Sequence, residues 1–355
     1  MTKQVRCGRI LIGGDAPISI QSMTNVDTKD ETSLLHQIED LERAGCDIVR
    51  VAIPDINALD SFGHVRKLTD MPLVADIHFD YKLAIMAINK GADKIRINPG
   101  NIGDRRKLEK VIEAAKSRNI PIRVGVNSGS LSREIISKYN GVTAEGLAES
   151  AINTLSQIEK MDYDNLVLSI KSSNVKMNYD VHMIIKDLTD YPIHIGITES
   201  GTAKNGKIKS AIGIGSLLLS GIGDTIRVSL TDDPLEEVKF AKEILEAIDI
   251  RKKPIEIVSC PTCGRTRIDL ISLATRAEEA LKSIEDDYED LKLSPIKVAV
   301  MGCAVNGPGE AKEADYGIAG GIGEGLIFRK GEILKKVPET ILIEELVKII
   351  KDDYE

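Results

Sequence analysis

The chain has 355 residues, 42% of them hydrophobic, and a formal net charge of −8. That length suits one large domain plus a smaller one, and the apolar content excludes a disordered chain. An acidic chain with no Trp and 3% aromatic residues is a poor binder of nucleic acid.

The first 21 residues hold one short apolar run around Ile10 and Ile12. It is too short for a signal-peptide core or a membrane span, so a cytoplasmic protein with no membrane partner is expected. Five cysteines in such a chain point to metal binding or catalysis rather than disulfides.

Short apolar runs then alternate with amphipathic stretches. The pattern predicts strands over 18–22, 48–52, 73–77, 94–97, 122–126, 166–170, 193–197 and 225–229. Helices lie between them, most clearly over 32–44 and 235–248. Asp233 and Pro234 suit the N-cap and first turn of the latter, with Glu236 and Glu237 facing the helix dipole. Strands alternating with helices give an α/β fold with a parallel sheet, and eight units over residues 1–250 match a closed (β/α)8 TIM barrel. An open doubly wound sheet would carry a Gly-rich fingerprint after the first strand, where this chain has Met23-Thr24-Asn25-Val26-Asp27. Gly213, Gly215, Gly221 and Gly223 fall between strands seven and eight, where barrels often place phosphate-binding loops.

The pattern changes after residue 250. A strand over 255–259 runs into Cys260, a helix covers 268–285, and a strand over 297–301 runs into Gly302-Cys303. A Gly-rich stretch over 317–325 and a short strand over 326–328 complete a smaller α+β domain, residues 251–355.

Four strands carry an Arg between β-branched neighbours: Arg50, Arg96, Arg123 and Arg227. Lys171 ends the sixth strand and His78 the third. The outer face of a barrel strand is covered by helices, so these charges belong on the inner face near the C-terminal rim. Strand period two puts Asn98, Asn127, Ser173 and Ser229 on that same face. Converging cations need an anion among them, and Arg forks suit phosphate oxygens, which implies a small diphosphate-like ligand. The competing reading pairs each Arg with a local carboxylate such as Asp47, Asp76, Asp93 or Asp224. Glu199, just past the seventh strand, is a candidate general acid or a plain loop cap. His78 is a phosphate ligand, a proton donor or a hydrogen-bonded rim residue, and His194 fits the barrel interior.

Cys260-Pro261-Thr262-Cys263 forms a C-x-x-C pair, and Cys303 follows downstream among glycines. A structural zinc site needs four closed ligands, yet all five histidines lie at or before His194. A thioredoxin-like pair leaves Cys303 unexplained. A [4Fe–4S] cluster on three thiolates accommodates all three, with Glu310 a candidate for the remaining iron. The radical-SAM spacing is absent. Cys46 fits a buried apolar position, and Cys7 is uninformative.

Longer motifs now stand out: Ser-Cys-Pro-Thr-Cys-Gly-Arg-Thr at 259–266, Met-Gly-Cys-Ala-Val-Asn-Gly-Pro-Gly-Glu at 301–310, and Ala-Asp-Tyr-Gly-Ile-Ala-Gly-Gly at 314–321. With Gln21-Ser22-Met23-Thr24-Asn25, the Ile95–Asn101 segment and the Arg123–Leu131 segment, they resemble the 4-hydroxy-3-methylbut-2-enyl-diphosphate synthase family. The likeness covers nearly the whole chain and matches the two-domain bacterial form. It implies reductive ring opening of 2-C-methyl-D-erythritol 2,4-cyclodiphosphate and a [4Fe–4S] cluster on Cys260, Cys263, Cys303 and Glu310. It also implies substrate binding by Arg50, His78, Arg96, Asn98, Arg123, Lys171, Arg227 and Ser229, with Asn127 and Glu199 near the reacting carbons. Flavodoxin or ferredoxin would supply electrons.

One geometric expectation follows. The eighth barrel helix, about 20 Å long, carries the chain away from the rim, and residues 251–259 reach at most about 30 Å. The cysteine domain is therefore expected to cap the barrel of a second subunit, in a homodimer with shared active sites. The competing functions are a non-redox barrel of the pterin-condensing type with a zinc-stabilised tail, and a metal-binding interaction module.

Overall fold

In a computed structural model the described residues are 1–264, 266, 268–291, 295–303 and 311–354, those at 130, 283, 285–291 and 354 by their backbone alone. The chain forms two compact units, Met1–Ile250 and Arg251–Glu355.

The first unit opens with an antiparallel hairpin, β1 (Val5–Cys7) and β2 (Ile10–Ile12). Eight parallel strands follow: β3 (Ser19–Met23), β4 (Ile48–Ala52), β5 (Leu73–Asp76), β6 (Lys94–Ile97), β7 (Ile122–Asn127), β8 (Leu166–Lys171), β9 (His194–Ile195) and β10 (Thr225–Ile226). Their order is β8-β7-β6-β5-β4-β3-β10-β9, and a parallel bridge from Leu168 to Ile193 brings the ends together as a nearly closed barrel. The last two strands are shorter than the apolar runs suggest. The strands end at Ile195 and Ile226, although the Arg227 N–H still donates to the Ile195 carbonyl at 3.0 Å.

Outward-facing residues such as Val49, Ile95, Val124 and Leu168 join the helices in one core. Inside, Cys7 and Ile12 of the hairpin pack on Ile48 and Val74 and plug the N-terminal end. The eighth helix, Pro234–Ala247, has the expected cap: Asp233 accepts the Leu235 N–H, and proline opens the first turn. The late glycines do not form a phosphate loop. Gly213 and Gly215 lie within the helix Ala203–Leu219, while Gly221 and Gly223 precede β10 at the N-terminal rim. Chain direction explains this: the stretch before a barrel strand lies at the end opposite the C-terminal rim.

The second unit is a five-stranded sheet in the order β11 (Ile255–Ser259), β12 (Ile296–Met301), β13 (Tyr316–Gly320), β14 (Glu324–Arg329) and β15 (Glu332–Pro338). The first three are parallel and the last three antiparallel. Helices Leu270–Leu291 and Leu342–Tyr354 bury Leu273, Ala277, Leu342 and Leu346 with sheet residues Val298, Ile318 and Ile327. The Gly-rich stretch has a packing role. A Cβ on Gly317 would stand 2.2 Å from Phe328 Cζ, and one on Gly325 2.5 Å from Leu342 Cδ2.

Candidate active site

Strand register gathers the basic residues. Asp76 of β5 pairs with Arg96 of β6, and Arg96 with Arg123 of β7, so three charged side chains share one row. Two inward-facing positions nearer the rim, Asn127 stands beside Lys171 of β8. Glycines make the room. A Cβ on Gly125 would meet Arg96 Nε at 3.2 Å, and one on Gly196 would meet the Arg227 carbonyl oxygen at 2.4 Å and Lys171 Nζ at 3.0 Å.

Two carboxylates sit among these cations. Asp76, 2% exposed, lies 3.2 Å from Arg96 Nη1, 3.7 Å from Arg50 Nε and 3.4 Å from His78 Nε2. Burial would raise its pKa, but Arg50, His78 and Arg96 hold the carboxyl well below its usual range. Glu237 reaches in from the eighth helix to within 3.3 Å of Arg227. The carboxylate-pairing expectation is thus met for Arg50 and Arg96 through Asp76, and for Arg227 through a residue first read as a helix-dipole partner. Asp93 instead accepts the Leu73 N–H, and Asp224 the Ile193 N–H.

Arg123 and Lys171 have no carboxylate partner among the described residues. Arg123 is 2% exposed, and its Nε and Nη1 have no hydrogen-bond partner. Burial, with Arg50 and Arg96 close by, pushes its pKa well below the ordinary guanidinium value. Burial, with Arg227 and Arg123 close by, does the same to Lys171. Arg50 is lowered to about 10, chiefly by burial against the pull of Asp76. Below them Lys94 is fully buried and lowered to about 8, mainly by burial. Strand period two from Arg96 could have revealed Lys94. Nothing local marks Glu237, whose partners are 215 and 10 residues away.

Around the mouth, Asn98 caps a short helix by accepting the Gly100 N–H, and His78 is exposed beside Phe79. Glu199 is exposed in a turn after β9 with φ of 49°, a left-handed conformation uncommon outside glycine and asparagine. Ser200 Oγ donates to the Ser229 carbonyl, and Thr202 bridges to Thr231, so this turn is tied to the loop after β10. His194 is fully buried at the start of β9, and Cys46 is buried with its thiol pushed up to about 12 by burial.

In the second unit, Cys260 and Cys303 follow adjacent parallel strands and leave the same sheet edge. The Gly302 N–H donates to Cys260 Sγ at 3.2 Å. A Cβ on Gly302 would meet Leu270 Cδ2 at 3.0 Å. Thr266 Oγ1 accepts the Cys263 N–H at 3.1 Å, and Cys263 is exposed. Glu310 lies outside the described residues. Among those described, no group of three or more His, Cys, Asp or Glu converges to hold a metal ion. The donor set still fits an iron–sulfur cluster: thiols from two neighbouring loops, a backbone N–H aimed at sulfur, and no imidazole in this unit.

The fold and the site define a (β/α)8 barrel with a cation-rich C-terminal rim, carrying a separate α+β thiol-bearing unit. The chain belongs to the GcpE family: residues 2–242 match its TIM-barrel domain and residues 256–352 its C-terminal domain. It is 57% identical to the 4-hydroxy-3-methylbut-2-en-1-yl diphosphate synthase (flavodoxin) of Clostridium perfringens, over 99% of this chain and 98% of the relative. The enzyme of the same name from Fusobacterium nucleatum is 53% identical over 100% of this chain and 98% of its own length. Among solved structures, dihydropteroate synthase from Vibrio fischeri resembles it with a TM-score of 0.50 at 12% identity, covering 70% of this chain and 98% of that one. That likeness concerns the barrel fold alone.

Proposed function

We propose that the protein catalyses reductive ring opening of 2-C-methyl-D-erythritol 2,4-cyclodiphosphate to 4-hydroxy-3-methylbut-2-enyl diphosphate, a step towards isoprenoids. The observation that carries the reading is the rim itself: among the described residues, Arg50, Arg96, Arg123, Lys171 and Arg227 face only the carboxylates of Asp76 and Glu237. Such an excess of buried positive charge costs stability in the free protein and favours binding of a polyanion. Full-length relatives with the matching name supply the reaction.

The reaction balances as follows. The substrate dianion takes up two electrons and one proton, a ring C–O bond breaks, water leaves, and the product carries three negative charges. The Arg residues and Lys171 bind and orient the two phosphoryl groups, with Asn98, His78 and Ser229 at the mouth. Asn127, beside Lys171, lies against the reacting carbons, and Glu199 delivers the proton to the departing hydroxyl. A [4Fe–4S] cluster held by Cys260, Cys263, Cys303 and Glu310 would supply single electrons, received from reduced flavodoxin, with ferredoxin the alternative donor. The working form is a homodimer in which each cysteine unit completes the site of the other subunit's barrel. No described helix is long and apolar enough to cross a membrane, and the proposed location is the cytoplasm.

Anaerobically purified protein should be brown, with about four irons per chain, and should turn over the cyclic diphosphate with a strong reductant. Full activity in Cys303→Ser would sink the reading. Mixing Cys303→Ser with Arg123→Met subunits should restore part of the activity, and its absence after subunit exchange would remove the shared site. Colourless protein with one zinc would favour a non-redox condensing barrel.

A further inference from the structure

Glu237 is an odd residue to find in an anion site. It is 4% exposed and lies one turn into the eighth helix. Its neighbour Glu236 behaves as a helix surface residue, pairing with Lys239 at 2.8 Å. Glu237 turns inward instead. Oε1 accepts the Leu230 N–H at 2.9 Å, and Oε2 lies 3.3 Å from both Arg227 Nη2 and Ser22 Oγ. Pure affinity for a polyanion would be better served by a neutral group here. Asp76, on β5, raises the same question.

The chemistry of the reaction gives a reason, which rests on the function proposed above. The two phosphoryl groups of the cyclic diphosphate, joined by an anhydride oxygen, carry one charge each. Ring opening frees a terminal phosphoryl group whose second ionisation falls near pH 6, so the product gains a negative charge. Any cationic rim therefore binds product more tightly than substrate, and more so as its own charge rises. We propose that Glu237, together with Asp76, caps the positive charge of the rim so that it holds the dianionic substrate without trapping the trianionic product. Glu237 is well placed for this, because its hydrogen bonds to Leu230 and Ser22 fix a negative charge beside Arg227. Glu237 is thus a specificity-determining residue that need not touch the reacting atoms.

The test is calorimetric binding of substrate and product, separately, to the anaerobic full-length holoenzyme without reductant, so that no turnover occurs. In Glu237→Gln the amide oxygen can still accept one of these hydrogen bonds while the charge is lost. One added charge at about 8 Å, in an effective dielectric near 20, is worth about thirtyfold in affinity. Product affinity should therefore rise up to about thirtyfold relative to substrate affinity, and product inhibition should strengthen in the same ratio. Asp76→Asn provides a second variant on another element and must shift the ratio the same way. Glu236→Gln should leave it unchanged. If substrate and product weaken equally in both inward variants, the carboxylates are only structural and the proposal fails. It fails too if Glu236→Gln shifts the ratio as much, since overall charge would then be responsible. If the unaltered protein binds neither compound, the functional reading itself is wrong.

Discussion

Replacing Arg123 by methionine should make the ligand-free protein more stable and the enzyme inactive. Arg123 is 2% exposed, stands in register beside Arg96, and is close enough to Arg50 for the two to depress its pKa together with burial. Like charges directly opposite on neighbouring strands destabilise a sheet, and an unpaired buried cation carries a desolvation cost. Methionine keeps the unbranched stem and removes the charge. Replacing buried charge with apolar volume stabilises other proteins by about 1–4 kcal/mol, and about 1–3 kcal/mol is expected here. For the barrel unit, Met1–Ile250, that corresponds to a rise in melting midpoint of about 2–12 °C. Differential scanning calorimetry in phosphate-free buffer measures it. Added cyclic diphosphate should then stabilise the wild type and not Arg123→Met, reversing their order. A ligand-free Arg123→Met protein that melts below the wild type would show that Arg123 is satisfied by the fold rather than held open for an anion.

Two further outcomes are expected. Burial holds the His182 pKa at about 4, below its ordinary 6.5, despite contact between Nδ1 and the Asn178 carbonyl at 2.6 Å. The unfolded chain therefore binds the proton first, so stability is complete above the unfolded value and falls as pH drops from 6.5 towards 4. Between about pH 7 and pH 5 this costs about 2 kcal/mol, and His194, also lowered by burial, acts in the same direction. Urea midpoints that fall equally steeply in His182→Gln would contradict this. Gly196→Ala would set a Cβ 2.4 Å from the Arg227 carbonyl and 3.0 Å from Lys171 Nζ, costing about 1–3 kcal/mol and raising KM. Gly215→Ala meets nothing within 4 Å and should be neutral or slightly stabilising. Chemical denaturation of the pair distinguishes close approach from a general glycine effect.

Period-two alternation was enough to identify the barrel and its charged interior. A lysine or arginine between β-branched residues can face only inward when helices cover the outside, so Arg50, Arg96, Arg123 and Arg227 were readable from local pattern, as were the thiols at two strand ends. Local pattern could not decide which charges neutralise one another. Asp76 and Arg96 are 20 residues apart and meet only because β5 and β6 pair in one register. Glu237 looks like an ordinary first-turn glutamate; it becomes a partner of Ser22 and Arg227 because barrel closure sets β3 beside β10 and the eighth helix over both. The glycines before β10 misled for the same reason: composition marks a flexible turn, but only chain direction tells which rim the turn lies on. Side-chain chemistry repeats locally along a strand and is written in the sequence, whereas charge balance depends on contacts between distant segments, which only the folded chain brings together.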